Sequence, residues 1–89
     1  MRSGILRLRS AELHWREIDG ELIALDGRRS TYLAANAAGA LIWRTLADGA
    51  TREGLADKLV SAFGIDRARA LADIDRYVEQ MAEHGLLEP

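Results

Sequence analysis

Two Asp-Gly pairs near the start of the chain restrict its fold more than any other feature. Asp19-Gly20 separates Leu13-His14-Trp15-Arg16-Glu17-Ile18 from Glu21-Leu22-Ile23-Ala24-Leu25. A two-residue hairpin needs positive φ at both central positions, which Asp and Gly tolerate, so the segment predicts two antiparallel strands. A second turn, Asp26-Gly27-Arg28-Arg29, follows at once, and Ser30-Thr31-Tyr32-Leu33-Ala34 reads as a third short strand. Upstream, Ile5-Leu6-Arg7-Leu8-Arg9 alternates weakly and fits either a fourth strand or a frayed arm. From Asn36 the period becomes helical. Asn36 caps a helix through Leu46 that Asp48-Gly49 stops, and Thr51 caps a second that places Leu55, Ala56, Leu59, Val60 and Phe63 on one face. Gly64 ends that helix in a left-handed position, Asp66 caps a third helix to about His84, and Gly85 closes it. The layout is β-β-β-α-α-α, an α+β chain with no repeat or linker.

Size and composition narrow the function. With 89 residues the chain can bury one core, and 48% hydrophobic with 29% charged residues is ordinary for a folded domain. It has no cysteine, which excludes a disulfide framework, a thiolate metal site and thiol catalysis. No apolar run is long enough to cross a membrane and residues 1–9 lack the core of a secretory signal, so the expected location is cytoplasmic. The net charge is −2. Residues 1–45 hold seven arginines against five acids, and residues 46–89 hold five basic residues against nine acids. Nucleic-acid binders present a basic face, and the third helix instead sets Asp66, Asp73, Asp75, Glu79 and Glu83 against Arg67, Arg69 and Arg76.

Nothing in the chain assembles a catalytic constellation. His14 and His84 are the only histidines, one in a strand and one at a helix C-terminus, where a partial positive charge suits the dipole. There is no metal-ligand spacing and no glycine-rich phosphate loop, and Asp73 and Asp75 are two apart on a helix and so point apart. The chain therefore reads as a non-enzyme that needs no metal or cofactor. Binding is the remaining class. The third strand carries no charge from Ser30 to Ala34, whereas exposed sheet edges are usually blunted by charge. An uncharged edge beside an amphipathic helix can accept a guest strand, backbone to backbone, with alternate side chains entering pockets.

The run Trp15…Asp19-Gly20-Glu21…Leu25-Asp26, then Tyr32-Leu33-Ala34-Ala35-Asn36, then Gly39-Ala40-Leu41-Ile42-Trp43…Leu46-Ala47-Asp48-Gly49 resembles the PqqD-like family of precursor-peptide recognition domains. The likeness continues through Thr51, Leu55, Leu59, Phe63-Gly64-Ile65 and Asp66 to Gly85-Leu86-Leu87. It implies a winged helix-turn-helix over residues 13–89, preceded by an arm or short strand at residues 1–12. It also implies recognition of the leader of a ribosomally made precursor peptide, added as a strand to Arg29, Ser30, Thr31, Tyr32, Leu33 and Ala34. The facing helix segment would be Arg67 to Val78, contributing Arg67, Ala70, Leu71, Ile74, Asp75 and Val78, with Tyr32, Leu33, Ala70, Leu71 and Ile74 favoured in the groove. Trp15 and Trp43 would hold the scaffold. Strand parity and helix phase stay open, although taking Thr31 and Leu33 as the outward N–H donors would make proline there harmful to binding. Among family pathways the chain is most similar to the stand-alone recognition proteins of lasso-peptide biosynthesis, whose implied partner is a separate papain-like leader peptidase acting before a cyclase. The alternatives are delivery of a precursor to a radical-SAM enzyme in pyrroloquinoline quinone maturation, and a subunit-interaction domain with no peptide ligand.

Overall fold

A computed structural model describes residues 4–88. Residues 1–3 of the expected arm, and Pro89 at the end of the expected domain, lie outside the described residues. Five strands and three helices follow in the order β1 (Ile5–Leu6), β2 (Leu13–Ile18), β3 (Glu21–Asp26), β4 (Thr31–Ala35), α1 (Ala37–Asp48), β5 (Ala50–Thr51), α2 (Arg52–Phe63) and α3 (Arg67–Glu83). Strands β2, β3 and β4 form the antiparallel meander, in that spatial order, and the three helices follow it. Asp19 and Gly20 take φ of 53° and 81°, and Ile18 faces Glu21 across the turn, so the Asp-Gly pair makes the tight hairpin its chemistry favours. The next loop is longer. Asp26 faces Thr31, and Ser30 closes the loop at φ 52°, so the strand begins one residue later than the sequence suggests.

Side chains alternate across the sheet. Leu22, Ala24 and Asp26 of β3 point inward and are buried, while Glu21 and Ile23 point outward. Their cross-strand partners follow, so Leu13 and Trp15 of β2 and Leu33 and Ala35 of β4 share the inner face. That face packs on Trp43 and Leu46 of α1, Leu55 and Leu59 of α2, and Ile74 and Met81 of α3. Trp43 is buried in this core, and Trp15 packs against it half-buried. The expected caps are in place: Asn36, Thr51 and Asp66 accept hydrogen bonds from the backbone N–H of Gly39, Gly54 and Arg69, each three residues on. Gly64 ends α2 in the left-handed region at φ 68°. Phe63, grouped with the core face by its spacing, sits at the last turn of α2 and is 46% exposed.

The segment before the meander is built into the same body. Strand β1 pairs with β5, so Ile5 and Leu6 join the turn between two helices and do not add a fourth strand to the meander. Leu8 is buried and bridges Leu87, the Arg9 N–H donates to the Leu86 carbonyl, and the Glu88 N–H donates to that of Arg7. Arg9 also reaches across the sheet end, where its Nη2 donates to Asp26 Oδ1 at 2.7 Å. The pair is nearly enclosed, at 8% and 1% exposure.

Burial pushes the Asp26 carboxyl up. The hydrogen bond from Arg9, the Arg28 N–H and the charge of Arg9 outweigh it and hold the group below the usual carboxylate range. A carboxyl depressed in the folded state stabilises the fold above its unfolded pKa of about 3.9, and that support is lost as pH falls through the lower folded value. Thermal melts of the wild type should therefore shift down as pH is lowered from 5 to 3. Asp26→Asn should melt lower at pH 7 and show a shallower pH dependence, because Arg9 then stays buried beside a neutral group.

Candidate peptide-binding groove

Among the described residues, strand β4 has a partner on one side only. Which of its backbone groups face the open side follows from the hairpin before it. The tight turn makes Ile18 and Glu21 a hydrogen-bonded pair, and such pairs alternate along an antiparallel ladder. Glu21, Ile23 and Leu25 therefore turn their backbone groups to β2, and Leu22, Ala24 and Asp26 turn theirs to β4. Their partners Ala35, Leu33 and Thr31 bond inward. The free N–H and C=O groups of the edge belong to Tyr32 and Ala34. This reverses the assignment of the outward donors to Thr31 and Leu33, and it fits the side chains, since the Tyr32 ring stands on the outer face at 75% exposure.

Beside this edge lies a groove whose far wall is the C-terminal half of α3. Leu33, Ala34 and Ala35 line one side, Tyr77, Gln80, Met81 and His84 the other, and Leu22, Trp43 and Leu86 its floor. Its volume of about 90 Å³ suits a side chain or two of an extended peptide and no folded domain. The two ends of the groove are marked by glycines. Gly85, at φ 69°, terminates the helix where the Arg29 guanidinium comes to 3.4 Å from the position a β-carbon would take. At the other end a β-carbon on Gly39 would lie 2.8 Å from both the Ala35 methyl and the Tyr77 hydroxyl. Gly39 thus lets the Tyr77 side chain come close to Ala35 at the end of β4, and burial there raises the pKa of its phenol.

The expected helix segment lies elsewhere. Ala70 and Ile74 have no exposed surface and belong to the core, so neither offers a peptide anything to touch. Arg67 forms an ion pair with Asp57 of α2. Asp75 accepts two hydrogen bonds from Arg52 at 2.5 and 2.7 Å, which hold its carboxyl low. Leu71 and Val78 are half-buried against the core and are not among the residues lining the groove. The reason is helix phase and length: the N-terminal half of α3 packs on α2, and only its later turns face β4. Of the strand residues, Leu33 and Ala34 line the groove, Tyr32 supplies the edge, Arg29 sits at the mouth, Ser30 closes the loop, and the Thr31 hydroxyl donates to the Arg29 carbonyl. Tyr77, Gln80, Met81 and His84 were not singled out for the groove by sequence reasoning. Their i, i+3, i+4 and i+7 spacing is the signal that could have found them.

Among the described residues no group of three His, Asp or Glu side chains is placed to hold a metal, and no helix is long and apolar enough to cross a membrane. All three arginines of α3 are in ion pairs, Arg67 with Asp57 and Arg69 and Arg76 with Asp73, on a helix whose net charge is negative. A phosphate backbone would meet repulsion there.

A small winged helix-turn-helix with an open sheet edge beside an apolar groove can accept an extended guest strand. The sequence profile described as "Coenzyme PQQ synthesis protein D (PqqD)" matches residues 21–87, and the chain belongs to that family. Two solved structures share the fold across nearly the whole chain. "TbiB1 in Complex with the TbiA(beta) Leader Peptide" superposes with a TM-score of 0.83 at 27% identity, covering 92% of this chain and 94% of that one. "Lasso peptide synthetase B1 complexed with the leader peptide" gives 0.81 at 33% identity, covering 94% and 98%. A search of curated proteins finds no significant match. The chain is thus a PqqD-family domain, similar to proteins seen with leader peptides bound.

The register separates two proline substitutions. Tyr32→Pro removes an N–H from the open edge and should weaken peptide binding while the melt stays near wild type. Leu33→Pro removes a ladder bond to β3 and should lower the melting temperature itself. Gly39→Ala should cost about 1–3 kcal/mol through overpacking, at about 4–8 °C per kcal/mol. Tyr77→Phe in the Gly39→Ala background should recover part of that loss in the same thermal melts, because the hydroxyl is one of the two clashing atoms.

Proposed function

We propose that this protein binds the leader of a ribosomally made precursor peptide by strand addition to β4 and delivers it to a modifying enzyme, without catalysis of its own. The observation that carries the reading is the open, uncharged β4 edge beside an apolar groove, in a chain 33% identical to a lasso peptide synthetase B1 complexed with a leader peptide. The backbone groups of Tyr32 and Ala34 supply affinity that depends little on guest sequence, and the pockets between Leu33 and Ala35 and the helix residues Tyr77, Gln80 and Met81 select side chains. Arg29 at the mouth adds a charge contact of about 0.2–1 kcal/mol, which tunes direction and does not create binding. In a lasso pathway the recipient is a separate papain-like leader peptidase. Holding the precursor beside it raises the effective substrate concentration, and that is this chain's contribution to rate. The protein acts in the cytoplasm, where precursors are made.

The family's own description favours a second reading, presentation of a precursor to a radical-SAM enzyme in quinone-cofactor synthesis. Fluorescence anisotropy with labelled synthetic leaders of lasso-type and quinone-type precursors separates the two, with scrambled leaders and a DNA duplex as controls. Saturable binding of a lasso-type leader alone is the expected result. Preference for the quinone-type leader would transfer the protein to the second pathway. Binding of none, by protein whose circular dichroism is that of a folded α+β chain, would leave a subunit-interaction domain.

A further inference from the structure

Beyond the Tyr77 ring, which stands beside Gly39 and Ala35 at the end of the groove, lies a wider cleft between the start of α1, the last turn of α2 and the middle of α3, with a volume of about 450 Å³. Tyr77 lines both, and Asn36, the residue immediately after β4, lines the second. The floor of the cleft is apolar, made by Ala38, Ile42, Leu59 and Ile65, and exposed Phe63 forms one side. Its rim is charged in an unbalanced way. Arg69 and Arg76 both turn to the single carboxylate of Asp73, at 3.8 and 2.7 Å, and the two arginine side chains are 69% and 68% exposed. Two cations on one anion leave a positive charge over an apolar floor, in a cleft that Asn36 at the end of β4 also lines.

We infer that the bound peptide extends across Tyr77 into this cleft, with an apolar side chain seated beside Phe63 and an acidic residue paired with Arg69 and Arg76. The inference rests on the strand-addition reading and adds a second binding segment to it. Antiparallel pairing is the stabler ladder per residue, and a guest running antiparallel to β4 enters at Asn36 and leaves at Thr31. The segment in the cleft is therefore the one N-terminal to the paired strand. The occupant is an acidic, apolar-anchored stretch of the same peptide, because the cleft adjoins the strand groove at Tyr77 and its excess charge is positive.

The test uses the tightest-binding labelled leader from the anisotropy panel, at full length and cut back at its N-terminus to the strand-pairing segment. It is titrated against wild type, Phe63→Ser, Arg69→Gln/Arg76→Gln and Tyr32→Pro, each checked by a circular-dichroism melt. Phe63→Ser and the double arginine variant should each weaken full-length binding roughly tenfold and leave the shortened peptide unaffected. The arginine variant should also flatten the salt dependence of full-length binding. Since all three side chains are exposed, their loss should leave the fold intact; if Phe63→Ser melts early, the arginine variant decides alone. Wild-type affinity of the decisive cleft variants for the full-length leader, with Tyr32→Pro impaired, would overturn the inference and leave strand addition standing. Loss of binding in the cleft variants with Tyr32→Pro unimpaired would overturn strand addition and, with it, the inference as stated. A panel in which no leader binds would remove both.

Discussion

Arg9 and Asp26 meet where three parts of the chain converge. Asp26 ends the middle strand of the meander and shapes the loop that leads into the edge strand, through its hydrogen bond from the Arg28 N–H. Arg9 belongs to the segment before the meander, and its backbone is bonded to Leu86 beyond the last helix. One enclosed ion pair thus fixes the start of the chain, the β3–β4 loop and the C-terminal tail relative to one another. The groove depends on that arrangement, because its strand wall begins at this loop and Leu86 is part of its floor. A buried pair of this kind is a poor source of net stability compared with apolar packing, but breaking it leaves an uncompensated charge. Its effect is to make one relative placement of three segments far better than any other.

The groove itself is the product of a mismatch between a short sheet and a long helix. Strand β4 has five residues and α3 has seventeen, so the helix can pack its first turns on α2 and still carry later turns past the edge strand. The space left between is lined by Trp43 from below, Leu86 from the tail and Tyr77 of α3 at the far end. The small residue at position 39 decides how closely helix and strand approach there. Winged helix-turn-helix domains are better known for reading DNA, yet here the helix that would enter a groove is acidic, its arginines are bound to neighbouring acids, and the open surface is backbone.

Much of the fold was legible in the sequence because its boundaries are set by local chemistry. Asp19-Gly20 demanded a tight hairpin, and Asn36, Thr51 and Asp66 announced the three helix starts by satisfying free N–H groups. Other features were closed to such reasoning. Thr31 to Ala35 has no polar–apolar alternation, so nothing in it says which residues face the core, and parity emerged only from the register of the preceding hairpin. The apolar stripe of α3 is continuous along its length, although one half serves the core and the other the groove, and sequence cannot divide it without knowing where α2 ends. The two-residue strands β1 and β5 pair across more than forty positions, and Arg9 finds Asp26 seventeen residues away. Those contacts are chosen by tertiary geometry, with no local signature to read.

The antiparallel zipper between residues 7–9 and 86–88 has a topological consequence. Because the Arg9 N–H reaches Leu86 while the Glu88 N–H reaches Arg7, the two segments lie side by side and run in opposite directions. The stretch of chain between them is thereby closed into a loop, so a change that parts the two segments would loosen both at once.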